Sequence, residues 1–106
     1  MLTSAQRLDK LLVMLQTQPR DPFLLYAAAL EYKKAGNNAA ALEYLSRAIE
    51  ADPQYHVAYQ QRGQLHRQGG NIEAARADYR EGIRRAMACG QKHAVKEMEL
   101  ALSSLG

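Results

Sequence analysis

The chain has 106 residues, of which 47% are hydrophobic and 24% are charged. This length and composition are typical of one small globular domain with a buried core, and they argue against an intrinsically disordered chain. The single cysteine, Cys89, excludes an internal disulfide and fits a reducing compartment. The apolar run from Leu11 to Leu15 is too short for a membrane span, so we expect a cytoplasmic protein with no membrane partner.

The first predicted helix covers residues 4–18. Thr3 and Gln6 have the spacing of a capping box, in which each side chain bonds the backbone N–H of the other residue. Leucines then recur at helical intervals, at Leu8, Leu11, Leu12 and Leu15.

The second and third helices form a predicted pair over residues 22–55. Asp21 is placed to cap the second helix, and Pro22 suits its first position, where a backbone N–H has no helical partner. Gly36 supplies a left-handed end to the second helix, and Asn37 is placed to cap the third.

The fourth and fifth helices form a second predicted pair over residues 56–89. Two glycines at residues 69–70 separate them, and Asn71 starts the fifth helix. Where the first pair ends in proline the second has Met87, so the fifth helix is expected to continue to a C-cap at Gly90.

A last helix is predicted over residues 91–105. Its apolar stripe is formed by Val95, Met98, Leu102 and Leu105. Its other positions carry charged residues, namely Lys92, Lys96, Glu97 and Glu99. A helix with one polar face suits the end of a stack of helix pairs, so we expect it to be a capping helix.

The two helix pairs are related by an internal repeat of 34 positions. The repeat aligns the helix-ending glycines Gly36 and Gly70, and it also aligns buried-type residues. Extended backwards, the same offset aligns Leu11 of the first helix with Leu45. The first helix is therefore predicted to be the second half of a truncated repeat.

Small residues alternate with large ones along each pair, so that neighbouring helices can approach closely. In the first pair these positions are Leu25, Ala29, Tyr32, Ala41, Leu45, Ala48 and Pro53. In the second pair they are Tyr59, Gly63, His66, Ala75, Tyr79 and Gly82. This pattern resembles the tetratricopeptide repeat family, and the arrangement resembles small stand-alone bacterial members. The resemblance implies an all-α, right-handed solenoid of antiparallel helix pairs with about six helices: a half repeat, two repeats and the capping helix.

The resemblance also implies a binding surface, because in this family the first helix of each pair lines a concave groove. Carried onto this sequence, the groove positions are Phe23, Tyr26, Leu30, Lys33, Gln60, Gln64 and Arg67. Such a surface suits a peptide or helix with an apolar anchor and a carboxylate, so we expect a non-catalytic adaptor for a protein partner. The alternative is that Tyr26 and Leu30 pack under the first or last helix.

Some family members grip the C-terminal carboxylate of chaperones with lysine, asparagine and arginine side chains. At the matching positions this chain has Tyr26, Leu30 and Gln61. The resemblance therefore does not extend to chaperone-tail binding of that type.

The charge is unevenly distributed, since residues 1–53 are neutral overall and residues 54–106 carry a net charge of +3. Three arginines four positions apart form a basic ridge: Arg76, Arg80 and Arg84. The ridge could bind an acidic partner or nucleic acid. We favour ion pairing with Glu73 and Glu81 instead, because nucleic-acid binders usually have a larger basic excess.

No set of residues predicts catalysis, a cofactor or a metal site. Cys89 and His93 have a spacing that two metal ligands could share, but no third ligand is near them in the sequence. His66 falls at an aromatic position of the repeat, which predicts a packed structural role.

Self-association is a further alternative. The first helix lacks the partner that a complete repeat would provide, and it carries a broad apolar arc that includes Leu12, Val13 and Leu15. We expect this arc to pack on the second helix, which leaves a monomer or a weak homodimer.

Overall fold

The computed structural model describes residues Met1–Gly106 and contains six α-helices and no β-strand, as expected for an all-α fold. The helices are α1 (Ser4–Thr17), α2 (Pro22–Lys34), α3 (Asn38–Ala51), α4 (His56–Gln68), α5 (Ile72–Ala88) and α6 (Lys92–Ser103). None of them has both the length and the hydrophobicity that crossing a membrane requires. The chain divides into two compact units, Met1–Pro53 and Gln54–Gly106.

The N-terminal unit contains α1, α2 and α3, and α2 packs against both of the others. Its core consists of Leu15, Leu24, Leu25, Ala28, Ala29, Ala41, Leu45 and Ala48. Ala41 and Ala48 are completely buried, which agrees with their predicted role as small residues at a helix contact.

The C-terminal unit contains α4, α5 and α6, and α5 packs against both of the others. Close contacts explain why two helical positions are glycine. A Cβ on Gly82 would lie 2.6 Å from Met98 Sδ and 3.1 Å from Tyr59 Cβ, and a Cβ on Gly63 would lie 2.9 Å from the Tyr79 ring. The predicted capping helix therefore packs on α5 through Met98, which is completely buried.

The predicted starts of α1 and α2 are confirmed. The Gln6 N–H donates to Thr3 Oγ1 at 3.1 Å, and the Thr3 N–H donates to Gln6 Oε1 at 2.8 Å, which completes the capping box. Asp21 Oδ1 accepts from the N–H groups of Phe23 and Leu24 at 2.9 and 3.1 Å. These bonds satisfy helix-end donors that have no partner within the helix.

The glycine after α2 ends that helix as predicted. Gly36 has a φ of 81°, and the Asn37 N–H donates to the Tyr32 carbonyl at 2.9 Å, in the bond pattern of a Schellman motif. Asn37 then caps α3, because its Oδ1 accepts from the Ala40 N–H at 3.1 Å.

The same motif recurs after α4 and α5, at Gly70 and Gly90, with φ values of 82° and 71°. Asn71 precedes α5 as predicted, but its side chain makes no capping hydrogen bond. The last helix ends at Ser103, two residues before the predicted end, and the Ser104 hydroxyl donates to the Ala101 carbonyl at 2.7 Å. Such local hydrogen bonds favour the end of a helix.

Candidate functional site

Four of the predicted groove residues lie on α2, at spacings that place them on one side of the helix. Phe23 is 70% exposed, whereas Tyr26, Leu30 and Lys33 are half-buried. The N-terminal unit therefore presents one large exposed aromatic side chain beside three partly covered positions.

Leu30 belongs to a depression of about 400 Å³ between α1 and α2. The depression is lined by Leu2, Arg7, Lys10, Leu11, Ala27, Leu30, Glu31 and Lys34. Leu30 thus contributes to a wall shared with α1, whereas Tyr26 does not line this depression. The lining combines an apolar surface with three basic side chains and one acidic side chain.

The acidic side chain of the depression, Glu31, is only 6% exposed and joins α1 to α2. Arg7 Nε and Ser4 Oγ each donate to its carboxylate at 2.7 Å, and Lys34 Nζ lies 3.7 Å away. The hydrogen bond from Arg7, followed by that from Ser4, holds the pKa of Glu31 below its ordinary value. Glu31 is therefore held in its ionised form, and Arg7 balances its charge. The two lysines of the lining, Lys10 and Lys34, leave the depression with a net positive charge.

The other three predicted groove residues, Gln60, Gln64 and Arg67, share one side of α4. The two glutamines are half-buried and Arg67 is exposed. A second depression of about 400 Å³ lies in the C-terminal unit. Its lining residues are Gln64, Arg67, Gln68, Tyr79 and Ala101.

Tyr79 forms a buried part of this second depression. The residue is 1% exposed, and its phenol oxygen is buried without a hydrogen-bond partner. Burial raises the pKa of the phenol, and the nearby Arg67 guanidinium opposes that shift. The repeat pattern predicted Tyr79 as a packing residue, and it gave no sign of the unpaired oxygen.

A charged cluster that the sequence analysis missed lies between α4 and α5. Arg62 Nε and Nη2 donate to Asp78 Oδ2 and Oδ1 at 2.9 and 2.8 Å, and His66 Nε2 lies 3.8 Å from Asp78 Oδ2. The internal repeat contained a signal for it. Asp78 and His66 align with Tyr44 and Tyr32, whose rings lie 5.2 Å apart, so an acid and a histidine replace an aromatic pair.

The basic ridge is largely paired within α5. Arg76 Nε lies 3.5 Å from Glu73 Oε1, and Arg84 Nη1 donates to Glu81 Oε1 at 3.1 Å. The expected ion pairs with the two glutamates are therefore confirmed. Arg80 is exposed.

The apolar arc of α1 is divided between core and surface. Leu15 is buried at 6% exposure and Leu12 is half-buried, whereas Val13 is 61% and Met14 is 45% exposed. The expectation that the arc packs on α2 thus holds for part of it. The exposed part lines a further depression of about 360 Å³ together with Asp9 and Lys10.

The pair considered as metal ligands is split by a helix end. Cys89 is the C-cap of α5, His93 lies in α6, and Gly90 turns the chain between them with a φ of 71°. His93 Nε2 instead lies 3.6 Å from Glu97 Oε1.

The chain matches the family model of the tetratricopeptide repeat at residues 24–55 and 56–86. It is 34% identical over 74 residues to the TPR repeat-containing protein PA0015 of Pseudomonas aeruginosa, with 70% of each chain covered. The crystal structure of a tetratricopeptide repeat domain protein of Salinibacter ruber has a TM-score of 0.76 and 30% identity, covering 80% of this chain and 94% of that one. The first TPR of Spaghetti (RPAP3), bound to an HSP90 peptide, has a TM-score of 0.75 and 20% identity, covering 94% of this chain and 80% of that one.

Proposed function

Because the chain belongs to the tetratricopeptide repeat family, whose helical solenoid is a protein-interaction fold, we propose that it is a non-catalytic, cytoplasmic adaptor that binds a peptide or helix of another protein. The structural relative Spaghetti (RPAP3) is bound to a peptide, which supports a ligand of the same kind here. The grip on chaperone tails is not part of the proposal, because Tyr26, Leu30 and Gln61 stand at its positions.

The observation that carries the proposal is the depression between α1 and α2. Its apolar lining, which includes Leu11 and Leu30, offers a place for one apolar side chain of a ligand. The depression has three basic side chains and one acidic side chain, Glu31, which already accepts a hydrogen bond from Arg7. An apolar side chain flanked by an acidic residue is therefore the ligand motif that best complements the N-terminal unit.

Residues next to the depression extend this binding surface. Phe23 is 70% exposed on the side of α2 that also carries Tyr26 and Lys33. Exposed aromatic side chains are enriched in protein interfaces because they bury a large area at a small cost in side-chain entropy. We include these three residues with Leu30 in the proposed ligand-binding surface of α2.

The test is selection of binding peptides from a random phage-displayed library on the immobilised protein. Peptides with an apolar residue next to aspartate or glutamate should be enriched. Their affinity, measured by calorimetry, should fall about tenfold or more in a variant that combines Tyr26→Ala with Leu30→Gln, because both substitutions remove apolar contact area.

Leu100→Gln is the matched control, because Leu100 is an exposed apolar residue on α6, outside the proposed binding surface. This variant should bind the selected peptides as the original protein does. Thermal unfolding of both variants checks that the fold is retained. Failure to enrich any peptide, or equal affinity of the Tyr26 and Leu30 variant, would contradict the proposal.

Self-association through α1 is the second candidate function. It is supported by the exposure of Val13 and Met14, which form an apolar surface on the helix that precedes the first complete repeat. This surface would make α1 a contact between two copies of the chain.

A further inference from the structure

Helix α1 begins at the same point of the repeat as α3 and α5. Thr3, Asn37 and Asn71 follow one another at intervals of 34 positions, and they are the N-cap residues of α1, α3 and α5. Residues 34 positions apart therefore occupy equivalent places on these three helices. In the complete pairs, α2 packs against α3 and α4 packs against α5.

The contacts within the complete pairs identify the face that a neighbouring helix covers. Three residues of α5 contact α4: Asp78 bonds Arg62, Tyr79 packs on Gly63, and Gly82 packs on Tyr59. The equivalent residues of α3 are Tyr44, Leu45 and Ala48. The Tyr44 ring lies 5.2 Å from the Tyr32 ring of α2, and Leu45 and Ala48 are buried.

The equivalent residues of α1 are Lys10, Leu11 and Met14, which we call the uncovered face. Lys10 is exposed, Leu11 is half-buried and Met14 is 45% exposed. Two depressions border this face, one lined by Lys10 and Leu11 and the other by Lys10 and Met14. The place that a helix occupies in both complete pairs is therefore open on α1.

The size of the residues on the uncovered face determines which side chains a covering helix needs. In the second pair the large Tyr79 and Tyr59 each face a glycine, so that the two helices approach closely. Leu11 stands in the place of Tyr79 and again requires a small residue opposite it. Met14 is large where its counterpart is glycine, so it also requires a small residue.

Lys10 determines the charge of the covering helix. Its counterpart Asp78 bonds Arg62 and lies 3.8 Å from His66, and these two residues are four positions apart on α4. Since Lys10 replaces an acid by a base, acidic residues at the positions of Arg62 and His66 would restore ion pairing.

A second copy of α1 matches this face poorly. Lys10 lies near the middle of α1 (Ser4–Thr17), so two antiparallel copies related by a two-fold axis would bring their Lys10 side chains together. Both copies would also place the large Leu11 and Met14 in the contact, where small residues are required. Charge and size therefore favour a helix of another protein.

We propose that the uncovered face of α1 binds an amphipathic helix of a partner protein, which takes the place of the first helix that the half repeat lacks. Counted from the residue opposite Met14, this helix has small residues at its first and fifth positions and acidic residues at its fourth and eighth. The inference rests on the proposed function and deepens it, because it specifies the kind of partner segment that the N-terminal unit binds.

The probe is a synthetic peptide with the sequence of residues 20–36, in which Leu25→Ala, Ala28→Glu and Tyr32→Glu supply the required residues. Ala29 already provides the second small residue. A hydrocarbon staple on the opposite face keeps the peptide helical, because an isolated helix of this length is only marginally stable. The control peptide has Ala28→Lys and Tyr32→Lys in place of the two acidic substitutions.

Fluorescence anisotropy of the labelled peptides, titrated with the full-length protein, measures binding. The acidic peptide should bind saturably, and the basic peptide should bind about tenfold more weakly or less, because attraction to Lys10 becomes repulsion. Lys10→Glu should weaken binding of the acidic peptide by about threefold to tenfold and strengthen that of the basic peptide by a similar factor. Lys96→Glu is the charge-matched control, because Lys96 is exposed on α6, and it should have the same small effect on both peptides as any distant charge.

The proposal is overturned if the two peptides bind equally or if Lys10→Glu and Lys96→Glu change binding alike. Light scattering of the protein without peptide tests a second copy as the occupant. A dimer that the acidic peptide dissociates would assign the uncovered face to a second copy and contradict the partner helix.

The outcomes also separate this inference from the proposed function. Enrichment of short peptides from the library beside a failed helix titration removes the covering helix alone. Helix binding that depends on Lys10, beside a failed peptide selection, supports the covering helix and contradicts the short motif proposed for the depression between α1 and α2.

Discussion

Arg62 and Asp78 form a two-point ion pair between α4 and α5, with N–O distances of 2.9 and 2.8 Å. The side chain of Asp78 is 8% exposed and that of Arg62 is 23% exposed. Removing one member of such a pair leaves a charge in a poorly solvated place, which costs more than the pair itself contributes.

Asp78→Asn should therefore lower the free energy of unfolding by about 2–4 kcal/mol, and Arg62→Met should have a similar effect. Urea unfolding followed by circular dichroism measures both values. Replacing the two residues together, as Arg62→Met with Asp78→Leu, should be less harmful than the sum of the single changes, because no buried charge is left alone. Additive losses in this cycle would show that the two side chains are not coupled.

Gly82→Ala should destabilise the protein by about 1–3 kcal/mol, although alanine is the better helix former. The added methyl would meet Met98 Sδ at 2.6 Å and Tyr59 Cβ at 3.1 Å, so the completely buried Met98 side chain would have to leave its position and Tyr59 would have to shift slightly. Gly69→Ala is the control, because its nearest contact is 3.5 Å and its φ of −82° suits alanine. Chemical denaturation should show Gly69→Ala to be neutral or slightly stabilising, and equal effects at both positions would contradict the packing argument.

Glu31 should make the protein sensitive to acid. Its pKa is lowered in the folded state, so its contribution to stability is complete above the ordinary value of 4.5 and is lost as the pH falls through the lowered pKa. Glu31→Gln should lower the melting temperature at neutral pH, because Arg7 and Ser4 lose their ionised acceptor.

The difference in melting temperature between the original protein and Glu31→Gln should shrink as the pH falls below that value. Thermal unfolding from pH 7 to pH 3 provides the measurement. A difference that stays constant over this range would show that ionised Glu31 is not responsible for it. Glu43→Gln is a suitable control, because Glu43 is exposed on α3.

Self-association through α1 predicts a concentration-dependent mass. Light scattering coupled to gel filtration should show dimers at high protein concentration, and Val13→Lys with Met14→Lys should return the protein to a monomer because the charges oppose burial. The exposed Leu100, on α6, provides a control through Leu100→Lys, which should leave the dimer intact. If light scattering shows only a monomer of the original protein at the highest concentration, self-association through α1 is contradicted.

Sequence reasoning located the helices well because their signals are local. The capping box of Thr3 and Gln6, the Asp21 cap and the left-handed Gly36 each depend on neighbouring residues, and a short stretch of sequence contains all the interacting groups. The ion pairs between glutamate and arginine in α5 were also predictable from local sequence, because Glu81 and Arg84 are one helical turn apart.

The sequence by itself therefore determined the all-α repeat and most of its helix ends. Only the tertiary structure decided that Arg7 bonds Glu31 across 24 positions and that Arg62 bonds Asp78 across 16. It also decided that the Tyr79 oxygen is buried without a partner. The physical reason is that helix periodicity fixes which side of a helix a residue occupies, whereas partners on another helix depend on how the helices pack together.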